Sequence, residues 1–198
     1  AFVDTFSIFG QTIHVIGRIT APIMCFFIAE GYFYTRNVKR YALRLGLFAL
    51  VSQLPFTFFE TGRLGIRVGP AQFNMIFTLL CSLLAVWAWD KLQNRALRFL
   101  VLLGLCAAAM LGDWMCFAVL FTLAFAINRD NFRMQVLWSG VVMVLAAVFL
   151  CLLSGPGFYQ QLFQFGTLLS LPLLWLYNGR KGGGRYSKWI FYIFYPAH

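Results

Sequence analysis

Charge is what this sequence has least of. Asp, Glu, Lys and Arg make up 11% of its 198 residues, where a water-soluble domain carries about 25%. So few charges cannot cover a water-facing surface, which excludes a soluble globular domain. Acids are the scarcest, six against sixteen Lys and Arg, for a net charge of +10. In a soluble chain that balance would point to nucleic acid. Here no polar face exists to hold one, and nucleic acid is excluded as a partner. There are two histidines, His14 and His198. No serine elbow, HExxH zinc motif, carboxylate pair or Walker-type phosphate loop occurs. The five cysteines (Cys25, Cys81, Cys106, Cys116, Cys151) all fall in apolar runs without CxxC or Cys/His spacing. They read as small core hydrophobes, and no disulfide or metal is expected. Any chemistry must be assembled from residues scattered over several helices.

What is present is apolar. Hydrophobic residues are 61% of the chain, with 23 Phe, 6 Trp and 8 Tyr, and the mean hydropathy is +0.77. The runs predict an all-α, polytopic transmembrane bundle of about seven or eight spans in a single domain, 1–198. They fall at about 8–34, 41–59, 73–89, 97–111, 114–127, 135–153 and 158–177, with a truncated one from 186. Several are shorter than the ~20 residues that cross a bilayer straight. The 97–127 pair reads alternatively as one long buried hairpin around Gly112 and Asp113. The chain begins at Ala1 and stops at His198 inside an apolar stretch, so a fragment lacking part of its first and last helices is expected.

The connecting segments sort by charge. Thirteen Lys and Arg fall in the 36–44, 91–98, 129–133 and 180–188 loops, and two, Arg63 and Arg67, fall in the alternating ones. That asymmetry places the four basic loops in the cytoplasm. The 180–185 stretch, Arg-Lys-Gly-Gly-Gly-Arg, reads either as a flexible basic turn or as a phosphate cradle, because glycine lets backbone N–H groups approach an anion.

Polar residues inside apolar runs are costly, about 2.5–3.5 kcal/mol for a charge at the bilayer centre. Arg18 and Glu30 lie twelve residues apart in the first run, roughly 18 Å along a helix. They cannot pair with each other, and each needs a partner elsewhere or a wet pocket. His14 sits one turn from Arg18 on the same face. Gln53, Asn74 and Thr78 either tie helices together or line a polar cavity. Asp113 fits a helix N-cap. His198 follows Tyr195-Pro196 and either bonds a carbonyl or acts as a general base.

Several blocks carry a family resemblance. They are Gly17-Arg18-Ile19-Thr20-Ala21-Pro22 running to Ala29-Glu30-Gly31-Tyr32, then Thr35-Arg36, Lys39-Arg40-Tyr41, Leu43-Arg44 and Ser52-Gln53-Leu54-Pro55-Phe56. Asn74 with Phe77-Thr78, Leu176-Tyr177-Asn178-Gly179 and Phe194-Tyr195-Pro196-Ala197-His198 complete them. The chain resembles the TraX family of membrane proteins linked to N-terminal acetylation of conjugative pilin. It is more distantly similar to the acyltransferase-3 membrane acyltransferases. The resemblance implies an acyltransferase of the bacterial inner membrane, moving an acetyl group from cytosolic acetyl-CoA to an outward acceptor, the N-terminal amine of a pilin. It also implies a further histidine on a helix ahead of Ala1. The catalytic candidates are then His198 or His14 as base, Arg18 or Asn74 at the thioester oxygen, and Glu30. The CoA phosphates would rest on Arg36, Lys39, Arg40 and Arg44 and on Asn178, Arg180, Lys181 and Arg185. The alternatives are O-acetylation of an envelope glycan, and a non-enzymatic role in pilus assembly or transport.

Overall fold

The computed structural model describes residues 8–61, 73–153 and 164–177. Among the described residues there are seven helices: α1 (Ile8–Tyr34), α2 (Val38–Thr61), α3 (Met75–Lys91), α4 (Arg95–Ala109), α5 (Met115–Ile127), α6 (Phe132–Leu153) and α7 (Ser170–Trp175). One isolated bridge, Phe73 with Gly112, is their only extended pairing. The described residues are therefore helical apart from their turns and that bridge, and six of the expected runs coincide with a helix to within a few residues. The 158–177 run departs from expectation. Its described part is a 3-10 stretch over 164–169 that leads into the six-residue α7. Pro172 falls in the first turn of α7, where its missing N–H has no intrahelical acceptor to lose. The run from 186 lies outside the described residues.

Three stretches, Val15–Tyr34, Val38–Phe58 and Phe132–Leu153, are long and apolar enough to cross a membrane. Helices α3, α4 and α5 have 17, 15 and 13 residues, below the ~20 of a straight crossing.

Four helices open on an asparagine. Asn37, Asn74, Asn94 and Asn131 each turn a side-chain oxygen onto a first-turn N–H, at Arg40, Phe77, Ala96 and Met134 respectively. Asn is among the best residues at this position, because it satisfies a donor the helix itself cannot. These caps fix where α2, α3, α4 and α6 start, and hence how short the turns before them can be.

The shortest long helix is the central one. Helix α5 packs on α1, α3, α4 and α6 and buries Ala118, Val119 and Phe121 through Ala126. Helix α4 buries only Ala109 and exposes Leu97, Phe99, Leu100 and Leu103. The 97–127 hairpin is thus buried in its second arm alone, and its first arm presents an apolar face suited to lipid.

Two sets of contacts define the ends of the bundle. At one end Tyr32 Oη donates to Asp90 Oδ2 at 2.7 Å, and Arg129 reaches Glu30. The 35–37, 92–94 and 128–131 turns therefore gather there, and with them the described basic loops. At the far end Phe73 N–H donates to Leu111 O and Asp113 N–H to Phe73 O, both at 3.0 Å. Gly112 sits between them, where an added Cβ would run into Thr78 Cγ2.

Candidate functional site

The site at the basic end begins with a carboxylate that apolar sequence strands. Glu30 lies in the last turns of α1, and the α5–α6 turn brings Arg129 to it. Arg129 Nε and Nη2 donate to Glu30 Oε1 and Oε2 at 2.8 and 3.3 Å. The forked geometry engages both oxygens, and charge-assisted bonds of this kind are stronger than neutral ones. The guanidinium also lies 4.7 Å from the Phe33 ring centre and 5.4 Å from that of Tyr34, where cation–π attraction adds to it. Hydrogen bonding to Glu30 raises the Arg129 pKa above its already high ordinary value, so it stays a cation.

Beside this pair a cavity of about 530 Å³ opens, with Phe26, Gln135, Trp175 and Tyr177 among its walls. Phe26 anchors it, meeting Phe125 and Tyr177 edge-on at 5.4 and 5.3 Å. Gln135 is 4% exposed, and its Nε2 donates to Phe125 O at 3.0 Å. The cavity size is that of a small-molecule site.

The far end holds a smaller cleft. Arg18 is half-buried, its guanidinium 5.2 Å from the Trp114 ring centre. With Asp113, Gln164 and Thr167 it lines about 40 Å³, room for about one water. Both polar sites therefore touch α1, one at Arg18 and one at Glu30, with roughly 18 Å of helix between them.

The remaining candidates distribute as follows. Asn74 is fully buried and lines neither polar cavity. Its Oδ1 caps Phe77, its Nδ2 donates to Ala49 O at 2.7 Å, and its backbone N–H meets Gln53 Oε1 at 3.1 Å. These bonds clamp α3 to α2, and Asn74 and Arg18 do not share a cavity. Arg36, Lys39, Arg40 and Arg44 are exposed at the basic end and do not line its cavity. His14 lies in α1 one turn before Arg18, but its side chain is outside what is described. His198, Asn178, Arg180, Lys181 and Arg185 lie outside the described residues. Sequence reasoning missed Arg129 as the partner of Glu30, because it stood in a loop among the topology charges. It also missed Gln135, whose only signal was an amide one turn inside an apolar helix. Among the described residues no group of His, Cys, Asp and Glu could hold a metal.

A family model described as TraX protein matches residues 3–198. A probable fimbrial assembly protein, FimC of serogroup H1 from Dichelobacter nodosus, is 33% identical over 204 residues, covering 95% of this chain and 80% of that protein. No solved structure matches. With a match over nearly its whole length and a fimbrial-assembly relative at that identity, the chain belongs to the TraX family.

Proposed function

We propose that this protein is a membrane acyltransferase of pilus or fimbria assembly in the bacterial inner membrane. It takes an acetyl group from cytosolic acetyl-CoA and passes it to an outward-facing acceptor, the N-terminal amine of a pilin. The observation that carries this is the pair of polar cavities at opposite ends of α1, in a chain whose basic loops gather at one of those ends. The basic end faces the cytoplasm, where acetyl-CoA is found. The 530 Å³ cavity there accepts the head of the donor. Its phosphates rest on the 36–44 and 180–185 loops, and its thin pantetheine arm runs along α1 toward Arg18. At the far end Arg18 steadies the oxyanion that forms when the amine attacks the thioester carbonyl. An imidazole, His198 or His14, takes the proton as the C–N bond forms, and the CoA thiolate leaves toward the cytosol.

The test is heat protection of the purified full-length protein by acetyl-CoA, with mass spectrometry of the pilin N-terminus in cells. A shift of several degrees and an acetylated amine lost in Arg18→Ala and His198→Ala support the reading. No protection at millimolar acetyl-CoA overturns it in favour of a non-catalytic assembly role. Unchanged turnover in both variants removes those residue assignments.

A further inference from the structure

A further cavity, of about 540 Å³, opens on the exposed side of the α2–α3 pair. Gly46 and Leu80 form its floor, where a Cβ added to Gly46 would rest on Leu80 Cδ2 at 3.6 Å. Leu43 and Leu50 form its rim, 63% and 71% exposed. Phe73 and Phe77, with ring centres 4.7 Å apart, close it at the end away from the basic loops, beside Gln53. The Gln53 amide is committed to Thr57 and Asn74, so what the groove offers is hydrocarbon and ring.

Its length and its mouth say what fits. From Ala42 to Gln53 it runs roughly 16 Å along α2, about half of a hydrocarbon layer of ~30 Å. That is the depth of one leaflet. The start of α2 and the finish of α3 lie together at the basic end, where Tyr32 meets Asp90. Each carries a lysine in line with the groove. Lys39 stands four, seven, eleven and fourteen residues before Leu43, Gly46, Leu50 and Gln53. Lys91 stands seven, eleven and fourteen residues after Leu84, Leu80 and Phe77. At these spacings residues share a helix face. Lysine stems lie along apolar surface while the ammonium stays in water. Lys91 meets Asp90 at 2.9 Å, with 67% and 44% of the two side chains exposed. An exposed pair is held weakly, and Asp90 keeps Tyr32 as its other partner. Arg36 and Arg40, both exposed, add cations at the same turn.

We propose that the α2–α3 groove holds one acyl chain of an anionic phospholipid from the leaflet at the basic end, with its phosphate between Lys39 and Lys91. Lipid tails are as apolar as leucine, so expelling water does not seat the chain. Close packing along the groove and charge at its mouth do. A zwitterionic head brings a cation of its own to the lysines and gains less. The groove shares no wall with the 530 Å³ cavity and does not depend on the acyl-transfer reading. It takes Lys39 for the lipid and leaves Arg36, Arg40 and Arg44 to the donor.

The test is native mass spectrometry of the full-length protein in detergent, titrated with phosphatidylglycerol or with phosphatidylcholine of the same chains. A cation near the surface is worth about fivefold in affinity for an anionic lipid, so two lysines should favour phosphatidylglycerol by roughly 25-fold. The double variant Lys39→Gln, Lys91→Gln should lose that preference. The double variant Arg95→Gln, Arg133→Gln removes the same charge from α4 and α6 and should keep it. Leu50→Trp, which fills the groove from its exposed rim, should weaken both lipids without lowering the melting temperature. Glycerol phosphate, a head without a chain, should not compete. Equal affinity for the two lipids overturns the proposal, and so does an equal loss in both charge variants, which would make the preference one of surface charge at large. Competition by glycerol phosphate overturns it in favour of a free phosphate. Unchanged lipid binding in Leu50→Trp takes the chain out of the groove, and if that variant also breaks up a dimer, the groove belongs to a second copy of the chain.

Discussion

Replacing Asn74 with alanine separates a structural residue from a catalytic one. The substitution removes the oxygen that caps Phe77 N–H and the amide that donates to Ala49 O at 2.7 Å, at a fully buried position. Loss of an N-cap costs about 1 kcal/mol. A hydrogen bond between helices in a membrane protein averages about 0.6 kcal/mol, less than burial alone would imply, because the unfolded helices find other partners in lipid. The sum is roughly 1.5–2 kcal/mol, or about 3–8 °C in melting temperature for a chain of this size. The chain carries its own reporter. Cys25 and Cys81 are 0% and 4% exposed, so a thiol-reactive dye labels them only as the bundle opens. Asn74→Ser, which keeps a capping oxygen and gives up the amide donor, should recover about half the loss. On the proposed acyl transfer, turnover per folded molecule at low temperature should stay near that of the unmodified protein in both variants. If Asn74→Ala melts like the unmodified protein yet loses turnover, the clamp is not what Asn74 does, and it belongs at the reacting carbonyl after all.

Three further outcomes follow from the contacts. Glu30→Gln and Arg129→Gln should each destabilise the bundle by about 1–3 kcal/mol, since Glu30 and Arg129 are 12% and 33% exposed and each strands the other; the double variant should regain part of that loss, and simple additivity would refute the pairing. Asp90 has its pKa lowered below the ordinary 3.8, first by the Tyr32 hydrogen bond and then by Lys91, so the stability it adds is whole above 3.8 and fades as pH falls through the depressed value. The gap in melting temperature between the unmodified protein and Asp90→Asn should close over that acid range, and a gap that opens there would contradict the assignment. Gly112→Val should cost about 1–3 kcal/mol by driving a Cβ into Thr78 Cγ2, whereas Gly17→Ala, in open space inside α1, should melt no lower than the unmodified protein.

The fold was largely written in the apolar runs. Six of them became helices, and the alternation of basic loops agrees with an arrangement in which Tyr32 meets Asp90 and Arg129 meets Glu30. The helix starts were legible too, in the asparagines that precede α2, α3, α4 and α6. The burial order was not. Helix α4 carries Arg95 and Arg98 where α5 has no charged residue, which hints at the order, but packing decides that α5 is enclosed while α4 lines the rim. The site was legible in half. A carboxylate in a membrane run demands a partner, but thirteen basic loop residues were available, and choosing Arg129 needs a contact across 99 positions. Asn74 was ambiguous for the opposite reason: a cap and a catalytic amide look alike in sequence, and the structure adds only that it caps Phe77 N–H and donates to Ala49 O. The 158–177 run hid its break because Pro172 sits where a helix tolerates proline.

The short central helix has a consequence for the membrane itself. Thirteen residues give α5 a length of about 20 Å, against a hydrocarbon layer of about 30 Å. Set upright in a bilayer, such a helix would not reach both surfaces, and the end beside Trp114, against which the Arg18 guanidinium lies, or the opposite one would stand recessed beneath the plane of the headgroups, at the floor of a well.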